Sequence, residues 1–99
     1  MKYKIKQLKQ DKHDYAFEWW DWAKDKFNLN DYEVVYEGEV DGTSTTDCLE
    51  KLFYTFNMDH PEDFKGHSLS VSDVVELDGG NFYCDSHGWV NIESELEGK

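Results

Sequence analysis

Cys84 and His87 stand three residues apart, the C-x-x-H spacing of half a zinc site, and Cys48, His60 and His67 could extend the set. Structural zinc usually takes two closely spaced ligand pairs, and the sequence offers no second one. Residues three apart on a strand also point to opposite faces. No metal site is expected. The stretch HPEDFKGHSLSVSDVVEL, residues 60–77, holds a second set: His67 and Asp73 as base and acid, with Ser70 or Ser72 as nucleophile. A serine nucleophile needs both partners positioned in space, and there is no G-x-S-x-G elbow to present it. Small polar residues at a strand entrance ordinarily bond to the nearby backbone. Asp78, Gly79, Gly80 and Asn81 lack the basic residue and helix start of a phosphate loop. No catalytic or cofactor-binding residue is therefore expected, and the chain is read as no enzyme.

Binding is the better-supported chemistry. Asp14, Glu18, Asp21 and Asp25 fall on one side of a helical repeat, with Tyr15 and Trp22 beside them. Aromatic side chains are favoured binding anchors, and charge governs encounter. These six residues form the candidate partner surface. The expected partner is a protein with a basic surface. An aromatic-driven interaction module, with charge incidental, is the other reading. The bland one leaves the acids merely solvated and the tryptophan flanks covered by strands.

The chain has 99 residues, a net charge of −12 and 16% aromatic residues. All ten basic residues are lysine, and seven of them lie at or before Lys26. Duplex DNA binding needs a basic footprint, so direct nucleic-acid binding is not expected. The N-terminal MKYKIKQLKQDK has no apolar core of a signal peptide, and no run approaches the length of a membrane span. Two distant cysteines suit a reducing compartment, so a cytoplasmic protein is expected.

The elements that would position these residues follow from periodicity. KYKIKQL alternates as a half-buried strand. Ala16, Trp19, Trp20, Ala23 and Phe27 give the core stripe of a first helix. YEVVYEGEV alternates again, and a helix between the two strands implies a parallel crossover. Lys2, Lys4 and Lys6 would then meet Glu33, Glu37 and Glu39. Ser44 and Asp47 have capping-box spacing ahead of a second helix carrying Leu49, Leu52, Phe53 and Phe56. His60 breaks that helix, Pro61 starts a short turn over 61–65, Phe64 anchors it and Gly66 ends it. SVSDVVEL and NFYCDSHGWVNI read as two strands, with Asp78, Gly79, Gly80 and Asn81 supplying the positive-φ residues of a tight hairpin turn between them. The tail ESELEGK is expected to fray.

FNMDHPEDFKGHSLSVSDVVEL followed by YCDSHGW closely resembles the YodL-like domain family of phages, conjugative elements and polyvalent mobile-element proteins. The opening and YEVVYEGEV strands extend the likeness over most of the chain. His60, Pro61, Phe64, Gly66, His67, Ser70 and Asp73 belong to this motif and are read as structural. Trp89 departs from the family's usual Phe, and the tryptophan-rich first helix looks particular to this chain. The resemblance implies a bacterial mobile-element setting and action against host defences, but no reaction. The expectation is a single YodL-like α+β domain over residues 1–99: a mixed sheet of about four strands, two main helices and a short turn, in the order β-α-β-α-β-β. Its expected role is non-enzymatic counter-defence: binding and inhibiting a host protein such as a nuclease, as an anti-CRISPR-like acidic DNA mimic.

Overall fold

The computed structural model describes residues 1–9, 16–59, 61–64, 66, 68–85 and 88–93. Its elements are β1 (Lys2–Leu8), α1 (Trp20–Ala23), a 3-10 turn (Leu29–Asp31), β2 (Tyr32–Glu39), α2 (Thr45–Met58), β3 (Val74–Leu77), β4 (Gly80–Asp85) and β5 (Gly88–Asn91). The α+β class expected from the sequence is what the chain adopts. The sheet, however, has five strands in the order β2-β1-β3-β4-β5, and every neighbouring pair is antiparallel.

The expected parallel crossover between the first two strands is therefore corrected. Leu8 pairs with Tyr32, and the Lys9 amide donates to the Asp31 carbonyl at 2.9 Å, so the chain returns to the end it left. The helix between the strands is also no crossover helix: the four-residue α1 spans only about 6 Å, against about 20 Å for the seven residues of β1. The long helix makes the crossover instead: β2 and β3 both run antiparallel to β1, hence parallel to each other, and α2 bridges them across β1.

The sheet separates two cores. On one face α2 lays Cys48, Leu49, Leu52 and Phe56 against Tyr3, Ile5, Val75 and Leu77, with Phe64 and Leu69 closing the cluster. On the other, Trp20, Ala23 and Phe27 pack against Tyr32, Val74, Tyr83 and Ile92. Alternation in β1 thus serves both layers, sending Tyr3 and Ile5 to one side and Leu8 to the other. A bulge between Ile5 and Lys6 sets Tyr36 opposite Ile5 but Val34 opposite Lys6. The extra residue, Val35, switches the side-chain parity of β2. Tyr32 and Tyr36 consequently serve opposite cores, although plain alternation placed them together.

Local signals fold as read in several places. Ser44 Oγ accepts the Asp47 amide at 3.1 Å and starts α2. Asp78 and Gly79 both have positive φ, 50° and 89°, the requirement of a two-residue type I′ hairpin. Phe53, expected in the core stripe of α2, is 43% exposed and stands at its rim. NFYCDSHGWVNI is two strands, not one: β4 and β5 pair antiparallel, with Asp85 opposite Gly88.

Two of the three expected lysine–glutamate meetings occur, through the antiparallel register. Lys2 pairs with Glu39, and Lys4 with Glu37, whose charged ends lie 3.9 Å apart. Lys6 instead donates to Glu76 at 2.8 Å and to Asn81 at 3.0 Å. That bond holds the Glu76 carboxyl below its ordinary 4.5, against the opposing effect of burial. A depressed carboxyl contributes stability above its unfolded pKa, and the contribution fades as pH falls through the folded value. Glu76→Gln should therefore be less stable than wild type at pH 7. The gap should close in denaturant melts well below pH 4.5; a gap constant with pH would contradict this pairing.

Candidate functional site

The residues between β1 and β2 display the candidate surface. Trp20 points inward, its ring 5.2 Å from Phe27 and 4.9 Å from Tyr83. Ala23 and Phe27 are buried with it. Two polar tethers hold the approach to this anchor. The Phe17 amide donates to Ser72 Oγ at 2.9 Å, and the Tyr83 hydroxyl donates to the Glu18 carbonyl at 2.7 Å. Trp19 caps the helix that follows, its carbonyl accepting the Ala23 amide at 2.9 Å.

This geometry corrects the long first helix. Phe17 has φ 64° and Trp19 is extended, so helical winding begins only at Trp20. Trp19, expected in the core stripe, is 52% exposed. The acidic stripe is no helical face either: Asp21 alone lies in α1, Glu18 precedes the helix and Asp25 follows it. The outward side carries Phe17 at 66% exposure and Trp22 at 69% alongside Trp19. Glu18, Asp21 and Asp25 are exposed among them. No ion pair among the described residues involves these three acids. Asp14 and Tyr15, the other two members of the expected surface, lie outside the described residues. Phe17 and Trp19 were not anticipated as surface anchors. Nothing in the residue types announces the positive φ that turns them out.

The motif corner is structural where it is described. The Phe64 amide donates to the Pro61 carbonyl at 3.0 Å, and the Phe64 ring packs 4.9 Å from Phe56. Gly66 packs closely: a Cβ there would meet Gln7 Oε1 and stand 3.0 Å from the Phe64 ring, so a side chain would force its neighbours to shift. Asp73 is 2% exposed, and its carboxylate accepts the Ser70 amide at 2.9 Å and the Gln7 side-chain amide at 3.1 Å. The Asp73 carbonyl accepts the Cys84 amide at 2.8 Å, and the Ser72 amide donates to the Cys84 carbonyl at 2.9 Å. A carboxylate engaged in this way braces the corner. Ser72 Oγ is likewise engaged, by the Phe17 amide. The corner thus also anchors the aromatic segment.

The histidines of the acid–base and metal sets, His60, His67 and His87, lie outside the described residues. Among the described residues no group of three or more potential ligands is placed to hold a metal ion. No helix there is long and apolar enough to cross a membrane. Both cysteines are buried and unpaired. The Cys84 thiol is pushed up to about 12 by burial, reinforced by the negative charges of Asp73 and Asp85. Reaction requires the thiolate. Folded protein at pH 8 should accordingly resist a thiol-reactive dye, and labelling of both cysteines should appear only with denaturant. Rapid labelling of Cys84 in the folded state would contradict its placement.

A family model described as the YodL-like domain matches residues 2–94. No curated protein and no solved structure matches the chain.

Proposed function

The chain belongs to the YodL-like domain family, and from that premise we propose that it is a non-enzymatic counter-defence protein of a phage or mobile element. It binds and inhibits a host protein with a basic surface, such as a nuclease, through Phe17, Trp19 and Trp22 and the surrounding Glu18, Asp21 and Asp25. One observation carries the reading: three large aromatics and three acids are exposed within nine residues whose backbone is anchored at both ends. Ordinary domain surfaces leave apolar residues scattered singly, and a contiguous patch marks an interaction site. Rigid anchoring lowers the entropy lost on binding.

The roles divide by physics. The rings supply buried area at the centre of the interface. The carboxylates, at its rim, speed encounter with a positive partner and reject a negative one. Imitation of a phosphate backbone receives less support, because only Asp21 of the three acids lies in α1, with Glu18 before it and Asp25 after it.

The experiment captures the host partner on immobilised protein and compares wild type with Glu18→Lys, Asp21→Lys and Asp25→Lys combined. The association rate should fall at least tenfold at low salt, and added salt should slow the wild type. An unchanged rate in the variant, with no salt effect on the wild type, would remove the carboxylates from the interface.

A further inference from the structure

A cleft lies on the face of the sheet opposite the aromatic segment. It encloses about 290 Å³ and is lined, among the described residues, by Glu50, Phe53, Cys84, Asp85, Gly88 and Trp89. Trp89 packs against the core layer of α2 and meets Phe53 at its rim, whereas the aromatic segment packs on the other layer. The YCDSHGW stretch, unused in the reading above, supplies four of the six residues.

The walls have a particular chemistry. The Phe53 and Trp89 rings meet at 85° with centroids 6.5 Å apart, forming a corner of two aromatic planes. Glu50 is exposed one helical turn before Phe53, and Asp85 stands on the facing strand. Gly88, at φ 137°, has open space where a side chain would project, so nothing from that position fills the mouth. Ring faces attract cations, and the exposed Glu50 carboxylate adds to that attraction. Anions are repelled by it, and a neutral apolar group gains nothing from it. The volume lies at the small end of the ~300–1,000 Å³ typical of small-molecule sites, which suits one long side chain.

We propose that this cleft receives the guanidinium of an arginine side chain from a basic protein segment. A planar guanidinium can lie flat on one ring while its edge donates to Glu50, which the compact, strongly hydrated lysine ammonium does less well. The cleft binds without covalent chemistry, because the Cys84 thiol is buried and protonated. This proposal stands apart from the aromatic segment and does not need it.

The test titrates the full chain with acetyl-Gly-Arg-Gly-amide and follows the Trp89 indole N–H by NMR. The isosteric but neutral citrulline peptide and the lysine peptide serve as comparisons. A saturating shift is expected with arginine, none with citrulline, and severalfold weaker binding with lysine. Phe53→Ala should weaken arginine binding about tenfold, and Glu50→Gln should weaken it too. Phe53 is 43% exposed, so its truncation leaves the core intact, which a melting curve checks. Trp22→Ala should change nothing here, so failure of the aromatic-segment reading is read separately. An indifferent Trp89 signal, or equal responses to arginine and citrulline, would overturn the proposal. Lysine binding as tight as arginine would overturn the assignment to a guanidinium.

Discussion

Trp22→Ala should weaken binding of the captured host partner about a hundredfold, the cost of a hot-spot residue near 2–3 kcal/mol, while the melting temperature moves by less than about 4 °C. The asymmetry follows from position. Trp22 is 69% exposed, so its removal leaves no cavity in the fold. In a complex the same indole would be desolvated, and its truncation would forfeit that burial. Trp19→Ala should act in the same direction with a smaller effect, because the ring is less exposed at 52%. A loss of binding accompanied by a large drop in melting temperature would instead mean that Trp22 supports the fold.

Phe27→Ala should do the opposite, lowering stability by about 3–5 kcal/mol, as large aromatic truncations in cores do. Phe27 is 2% exposed and touches three rings, at 5.2 Å from Trp20, 5.5 Å from Tyr32 and 6.0 Å from Tyr83. For a domain near this size the melting temperature should fall by about 15–30 °C. Since domains of this kind hold only about 5–15 kcal/mol, the variant sits close to unfolding. Phe27→Leu keeps most of the volume and should cost less than about 1.5 kcal/mol. It separates the two functions of the segment: the fold should survive, and binding should weaken only as far as the display of Trp22 loosens. A stable Phe27→Ala protein would show that the second core does not hold the segment.

Much of this arrangement was legible where one or two residues decide a local conformation. Ser44 with Asp47 announced the start of α2, and the run from Asp78 to Asn81 announced the hairpin, whose positive φ angles fall at Asp78 and Gly79. Pro61 and Phe64 announced a corner anchored in the core. What escaped depended on distance or on a single irregularity. Antiparallel pairing of β1 with β2 is a long-range arrangement that periodicity does not encode, and the apolar spacing over 16–27 gave no sign of the break at Phe17. One bulge at Val35 exchanged the faces of β2, which alternation cannot report. The break between Asp85 and Gly88 was hidden because apolar residues continue on both sides of it, so β4 and β5 merged into one strand. The candidate surface was therefore half visible. Trp22 and the acids could be named, whereas Phe17 and Trp19 were turned outward by the break itself.

Amide hydrogen exchange on the chain, free and bound to the captured partner, tests the proposed surface most directly. Binding there should slow exchange across residues 17–25 and leave the α2 face at its free rate except at the Trp89 cleft. Undiminished exchange through 17–25, with protection gathered elsewhere, would contradict it.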